Sequence, residues 1–185
     1  MKIKKIMGII VFVAISGIVF FIFILYATIK TKSTNINQYP PFKEWVGKTV
    51  MLNKETIVFK ENITKMNPND KYPYTLLDSL HPRWEYLREQ EKLGDVTKIN
   101  VFTAGTKLVL EKAVQYTNGV SGFSSPTLFG TINDGNKEYK IGYQWGQMDI
   151  GKWFDKIEKC WQFHQAPWQD RPDTAFYALP EAKIW

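Results

Sequence analysis

Hydrophobic and polar positions divide the chain into two unequal parts. From Ile6 to Ala27 no residue is charged; beyond that, charged and apolar positions interleave to the end. The uncharged run is 22 residues long. At about 1.5 Å of rise per residue, a helix of that length crosses the roughly 30 Å hydrocarbon core of a bilayer. A cleaved secretory signal has an apolar region of only about 7–15 residues, followed by a small-x-small site. Here the exit reads LYATIKTK, with Tyr26 and Ile29 where small residues are needed. The single cysteine, Cys160, lies far downstream, so no lipidation cysteine follows the run. The pattern predicts a retained signal anchor over residues 6–29. Lys2, Lys4 and Lys5 precede it, against Lys30 and Lys32 behind it. Basic residues resist translocation, whereas long domains cross largely regardless of charge. A cytoplasmic tail 1–5 and an extracytoplasmic body follow, which in a bacterium means a single-pass inner-membrane protein with a periplasmic or exterior domain.

Residues 30–41 are polar, lack apolar periodicity and end at Pro40-Pro41, which predicts a short linker holding the body near the membrane. The remainder, 42–185, reads as one α+β domain. Thr49–Leu52 and Thr56–Phe59 are β-branched, apolar runs separated by NKE, a hairpin pattern. TKMNPNDKYPY is turn chemistry. TLLDSLHPRWEYLREQEKLGD reads as a helix, with Pro82 at its first position and Gly94 as its C-terminal cap. Glu85 with Arg88, and Glu89 with Lys92, are spaced to pair along it. From Lys98 strands return: KINVFTAG, TKLVLEKAVQY, SPTLFGTI and KEYKIGYQW. Asp134-Gly135, between the last two, is the strongest hairpin signal in the chain. In the last strand Tyr139, Ile141, Tyr143 and Trp145 alternate with Lys140, Gly142 and Gln144, which predicts one aromatic face.

In DIGKWFDKIEKCWQFHQ, helical spacing gathers Ile150, Trp153, Phe154, Ile157, Trp161 and His164 on one stripe opposite the charged positions, with Asp149 as N-cap. This predicts a C-terminal amphipathic helix packed on the sheet through Trp153 and Trp161. The tail WQDRPDTAFYALPEAKIW is too apolar for a disordered terminus and is expected to lie across the body as an extended clasp. The architecture expected is a small, mostly antiparallel β-barrel or bent sheet with an inserted helix and a C-terminal helix. It is SH3-like only by analogy of strand count.

Charge and cysteine count narrow the function. The net charge is +6, but five of the 24 basic residues flank the span, leaving 19 basic against 18 acidic in the body. Basicity therefore belongs to topology, and no basic face marks a nucleic-acid partner. One cysteine makes no intramolecular disulfide, and a body of this size supports an ordinary hydrophobic core without one.

Candidate chemistry is sparse. Nucleophile-elbow, zincin, P-loop and dinucleotide motifs are missing from the sequence. Cys160 and His164 are four apart, so on a helix they share a face as nucleophile and base or as two metal ligands. The ligand count is too small for zinc, and the apolar flanks favour a packed thiol. His81, Arg83 and Glu85 in HPRWEY read as helix-entry residues. No cofactor or metal is expected. Asn62-Ile63-Thr64 matches a glycosylation sequon of low specificity. Within APWQDRPDT, Trp168, Asp170 and Arg171 stand on a loop stiffened by Pro167 and Pro172. Trp and Arg dominate binding hot spots, so the three are the candidate partner-binding residues; the same types would equally pin a tail to the body. The expected function is a non-catalytic binding module for a protein or cell-wall partner, one version being an immunity protein against a periplasmic toxin. The alternative is a small membrane-anchored cell-wall hydrolase using paired carboxylates.

Overall fold

The computed structural model describes residues 2–62 and 69–180. Ile63 and Thr64 of the sequon, and the turn residues up to Pro68, lie outside the described residues. Helix α1 (Lys2–Ile29) is long and apolar enough to cross a membrane, and its apolar window is not buried against the body. Strand β1 (Lys32–Asn35) begins three residues later and pairs antiparallel with β6 (Lys107–Thr117). The stretch expected to be a free linker is therefore an edge strand, and Ile36 behind it is fully buried.

The other strands are β2 (Thr49–Met51), β3 (Thr56–Glu61), β4 (Tyr74–Leu77), β5 (Val96–Phe102), β7 (Ser124–Asn133) and β8 (Glu138–Gln144). The sheet runs β1-β6-β7-β8-β4-β3-β5, with β2 beside β1 on the same edge of β6. All neighbours are antiparallel except β4 and β8, so the sheet is mixed and open, with no closed barrel among the described residues. The β2–β3 hairpin does not form. β2 takes β6 as its partner, and β3 lies between β4 and β5. Local alternation identified both strands; the choice of partner rests on long-range packing.

The hairpins of the second half form where the turn chemistry places them. Asp134 Oδ1 accepts the amides of Asn136 and Lys137, and Gly135 adopts φ 96°, in the left-handed region. Along β8, Tyr139, Ile141 and Tyr143 are buried, as is Trp145 just beyond it. They join the main core with Phe42, Leu52, Leu76, Leu110, Phe163 and Trp168.

On the opposite face, Ile57, Phe59 and Leu77 pack under α2 (Trp84–Leu93) through Leu87 and Trp84. Gly94 caps α2 at φ 83°, while the first part of the expected helix is strand β4. Lys92 pairs with Glu89 as the spacing predicts, and Arg88 turns to Glu91 rather than Glu85.

The C-terminal amphipathic helix is corrected by the structure. After β9 (Gln147–Met148), α3 covers only Ile150–Phe154, capped by the Asp149 carboxylate on Lys152 N–H at 3.1 Å. Lys156 enters the left-handed region at φ 58°, and the chain continues extended into β10 (Trp161–Gln162). There β10 pairs with β9, and Trp161 exchanges backbone hydrogen bonds with Tyr177. Trp161 and Phe163 are buried on either side of exposed Gln162, a period of two that competes with the helical stripe. Pairing on two sides outweighs helix propensity. Trp161 is core as expected; Trp153 is not, remaining 48% exposed.

From Gln169 to Pro180 the tail is an extended clasp, and residues 181–185 of the expected clasp lie outside the described residues. Besides the Trp161–Tyr177 bridge, Gln115 Nε2 donates to the Pro180 carbonyl at 3.0 Å.

Candidate functional site

Polar groups distant in sequence converge where β8 leaves the sheet. Asp78 follows β4, His81 precedes α2, Tyr143 ends the aromatic row of β8, and His164 follows β10. The Tyr143 hydroxyl lies 3.2 Å from Asp78 Oδ2 and 3.0 Å from His164 Nε2. Leu80 N–H donates to Asp78 Oδ1 at 2.8 Å. The His81 and His164 rings stack edge to face with centroids 4.6 Å apart. His81 has both nitrogens engaged. Nδ1 accepts from Arg83 N–H at 3.0 Å, and Nε2–H donates to the Gln144 carbonyl at 2.8 Å, which fixes the tautomer. Arg83 itself donates to Gln144 Oε1 at 2.6 Å, so it belongs to this cluster rather than to solvent.

Burial sets the charge state. It lowers His81 to about 4 and His164 to about 3; the second histidine and Lys54 push His164 further in the same direction. Burial raises Asp78, against the Leu80 amide, Lys54 and Tyr143. At neutral pH both imidazoles are uncharged. The cluster is a hydrogen-bonded plug in the core, with its proton donors and acceptors matched to one another.

The proline-flanked loop adjoins this plug. Trp168 is 5% exposed, its ring 5.1 Å from Tyr143, 5.6 Å from Trp145 and 6.4 Å from Trp45. Gln169 Oε1 accepts from Ala166 N–H, and the Pro167 carbonyl accepts from Asn53 N–H at 2.7 Å. Trp168 is thus packed as a pin and presents no open face to a partner. Asp170 is exposed and accepts from Asn53 Nδ2 at 2.9 Å, while Arg171 is exposed beside it. Cys160 is buried at the far end of the extended stretch from His164, not one helical turn away. Among the described residues, no group of three or more His, Cys, Asp or Glu side chains is placed to hold a metal ion.

Two features escaped the sequence reading. The first is an ionic network on the sheet at Glu111, the extra residue of a bulge in β6. Its carboxylate accepts from Tyr72 Oη at 2.6 Å, Lys140 Nζ at 2.9 Å and the Thr131 hydroxyl. Burial alone would raise its pKa, but these donors bring it down to about 2. Burial and the carboxylate push Tyr72 up to about 12.

The second feature is α3 itself. Ile150, Trp153, Phe154 and Ile157 are all exposed, Phe154 to 72%. The helical period that predicted a core stripe holds for Ile150, Trp153 and Phe154, with Ile157 just past the helix end, but the stripe faces outward rather than into the core. The density of like-signed lysines at 152, 156 and 159 among the aromatics was the available signal of solvent exposure. Lys152 Nζ sits 4.5 Å over the Phe176 ring, so the C-terminal clasp touches α3 at Phe176.

No protein family, curated protein or solved structure matches the chain.

Proposed function

We propose that this is a single-pass, membrane-tethered binding module, without catalytic function, whose body captures a protein partner on the extracytoplasmic side. The observation that carries the reading is the exposed row Ile150, Trp153, Phe154 and Ile157. Four large apolar side chains exposed within eight residues, two of them aromatic, are the composition of an interaction surface rather than of an ordinary solvated helix. Asp170 and Arg171, exposed beside Asn53, remain the polar candidates for contact with the same partner. The triply basic N-terminus supports a cytoplasmic tail and an outward-facing body. An immunity protein against a toxin arriving on that side is one form such a module takes. The hydrolase alternative needs paired carboxylates, and Asp78, the carboxylate of the buried plug, is tied to Leu80 and Tyr143 rather than set beside a second carboxylate.

The test is affinity capture of the full chain from its own membranes, with and without Trp153→Ala/Phe154→Ala. Truncating a hot-spot aromatic costs on the order of 2 kcal/mol or more of affinity, so the double variant should lose its partner. Its melting should hardly move, because neither side chain is buried. Unchanged capture by the variant would refute a protein partner at α3.

A further inference from the structure

We propose that the β6–β7 turn, residues 118–123, is a second membrane contact, with Val120 and Phe123 seated in the lipid interface beside the exit of α1. The inference rests on the reading of α1 as a membrane span. The chain leaves no room for the body to stand away from that span. Only Lys30 and Thr31 separate α1 from β1, a reach from Ile29 to Lys32 of about 10 Å at most. Lys32 is in register with Thr117, the last residue of β6, which opens the turn.

The turn also lies against the helix. A side chain at Gly119 would collide with the backbone carbonyls of Thr28 and Ile29. Val120 therefore sits level with the last turn of α1, next to the end of the uncharged run.

What the turn presents there is apolar. Val120 is 76% exposed, the highest value of any large apolar residue described, and Phe123 is 59% exposed. The turn's shape does not depend on either side chain. Asn118 Oδ1 accepts from the amides of Val120 at 2.8 Å and Ser121 at 3.0 Å, and the Asn118 and Phe123 backbones close the loop at 2.9 Å. The loop is thus a preformed wedge. At the same level, Lys30 Nζ sits 5.7 Å from the Tyr26 ring centroid. Aromatic and basic residues flanking an apolar span are what a headgroup layer selects, and an apolar tip beside them completes an interfacial site.

The experiment uses the full chain in vesicles of phosphatidylcholine and phosphatidylglycerol. Single cysteines carry an environment-sensitive fluorophore at Ser121→Cys in the turn, Ile15→Cys in α1 and Asn136→Cys in the β7–β8 turn at the other end of β7. Buried Cys160 makes the unmodified chain the labelling blank. The Ser121 label should be blue-shifted and quenched by lipids brominated near the headgroup. The Ile15 label should be quenched by lipids brominated deep in the chain, and the Asn136 label by neither. Adding Val120→Ser/Phe123→Ser should return the Ser121 label to water while thermal melting in detergent stays that of the parent. If Ile15 is quenched while Ser121 behaves like Asn136, the turn is not a membrane contact. If Ser121 is quenched regardless of the serine substitutions, the wedge residues do not cause it and the proposal fails. If Ile15 is not quenched, the span itself is refuted and the proposal falls with it.

Discussion

Trp168→Ala is the sharpest test of how the C-terminal half is held together. The ring packs edge-on against Tyr143, Trp145 and Trp45, all within 6.4 Å. Truncating a buried Trp costs about 3–5 kcal/mol, because rigid neighbours do not collapse into the space. One term works the other way. Trp168 Nε1 is buried without a hydrogen-bond partner among the described residues, and an unmet donor of this kind costs about 1–3 kcal/mol that truncation returns. The loss should therefore fall near the lower end of the range, about 3 kcal/mol. For a domain of this size that is a melting-temperature drop of roughly 6–12 °C. Trp168→Phe separates the two terms: it keeps most of the ring packing, removes the unmet N–H, and should stay within about 1.5 kcal/mol of the parent. Near-UV circular dichroism melts of the full chain in detergent read both variants, and partner capture is measured on protein that remains folded. A Trp168→Ala protein that melts within about 2 °C of the parent yet loses capture would make Trp168 a contact residue and overturn the packing argument.

Both histidines are held neutral, at about 4 and about 3, whereas the unfolded chain takes up their protons near pH 6.5. Their contribution is complete above about pH 6.5 and is lost as the pH falls toward about 4, with Asp78 opposing the loss at the acid end; an unchanged melting temperature across this range would refute it. Glu111→Gln should cost about 1–2 kcal/mol in denaturant titrations at neutral pH. The Glu111 carboxylate, lowered to about 2, stabilises the fold at higher pH and stops doing so as the pH falls from about 4.5 toward 2, so this acid limb should vanish in the variant. Gly130→Ala drives a methyl into the Val109 carbonyl across the β6–β7 pair and should cost about 2–3 kcal/mol; normal melting would show that the strands can separate without penalty.

Where a local signal fixes local geometry, the sequence was readable. The uncharged run, the Gly94 cap, the Asp134-Gly135 turn and the alternation along β8 each need only neighbours within a few residues. Partner choice is different. Thr49–Met51 and Thr56–Glu61 have strand composition, yet nothing in either run says that one pairs with β6 and the other with β4 and β5. Residues 150–163 satisfy two periods at once, and the competition was decided by the backbones of Met148 and Tyr177. The polar plug was hidden for the same reason. Its histidines lie on opposite sides of six strands in sequence, and the parallel β4–β8 pairing helps bring them to ring contact. Trp168 was legible as important but not as buried, since proline-flanked polar neighbours describe a surface loop and a pinned loop equally well.

The position of β1 has a consequence in time. This first strand of the chain must wait for Thr117, about 85 residues later, and at roughly 5–20 residues per second that interval is about 4–17 s. During it the strand behind α1 has its backbone unpaired and Ile36 is uncovered. The β6–β7–β8 meander, made of sequence neighbours, can close as soon as it emerges. The sheet is thus completed backwards, from its last strands to its first, and a chain arrested before residue 117 would leave an open edge next to α1, ready to pair with its neighbours.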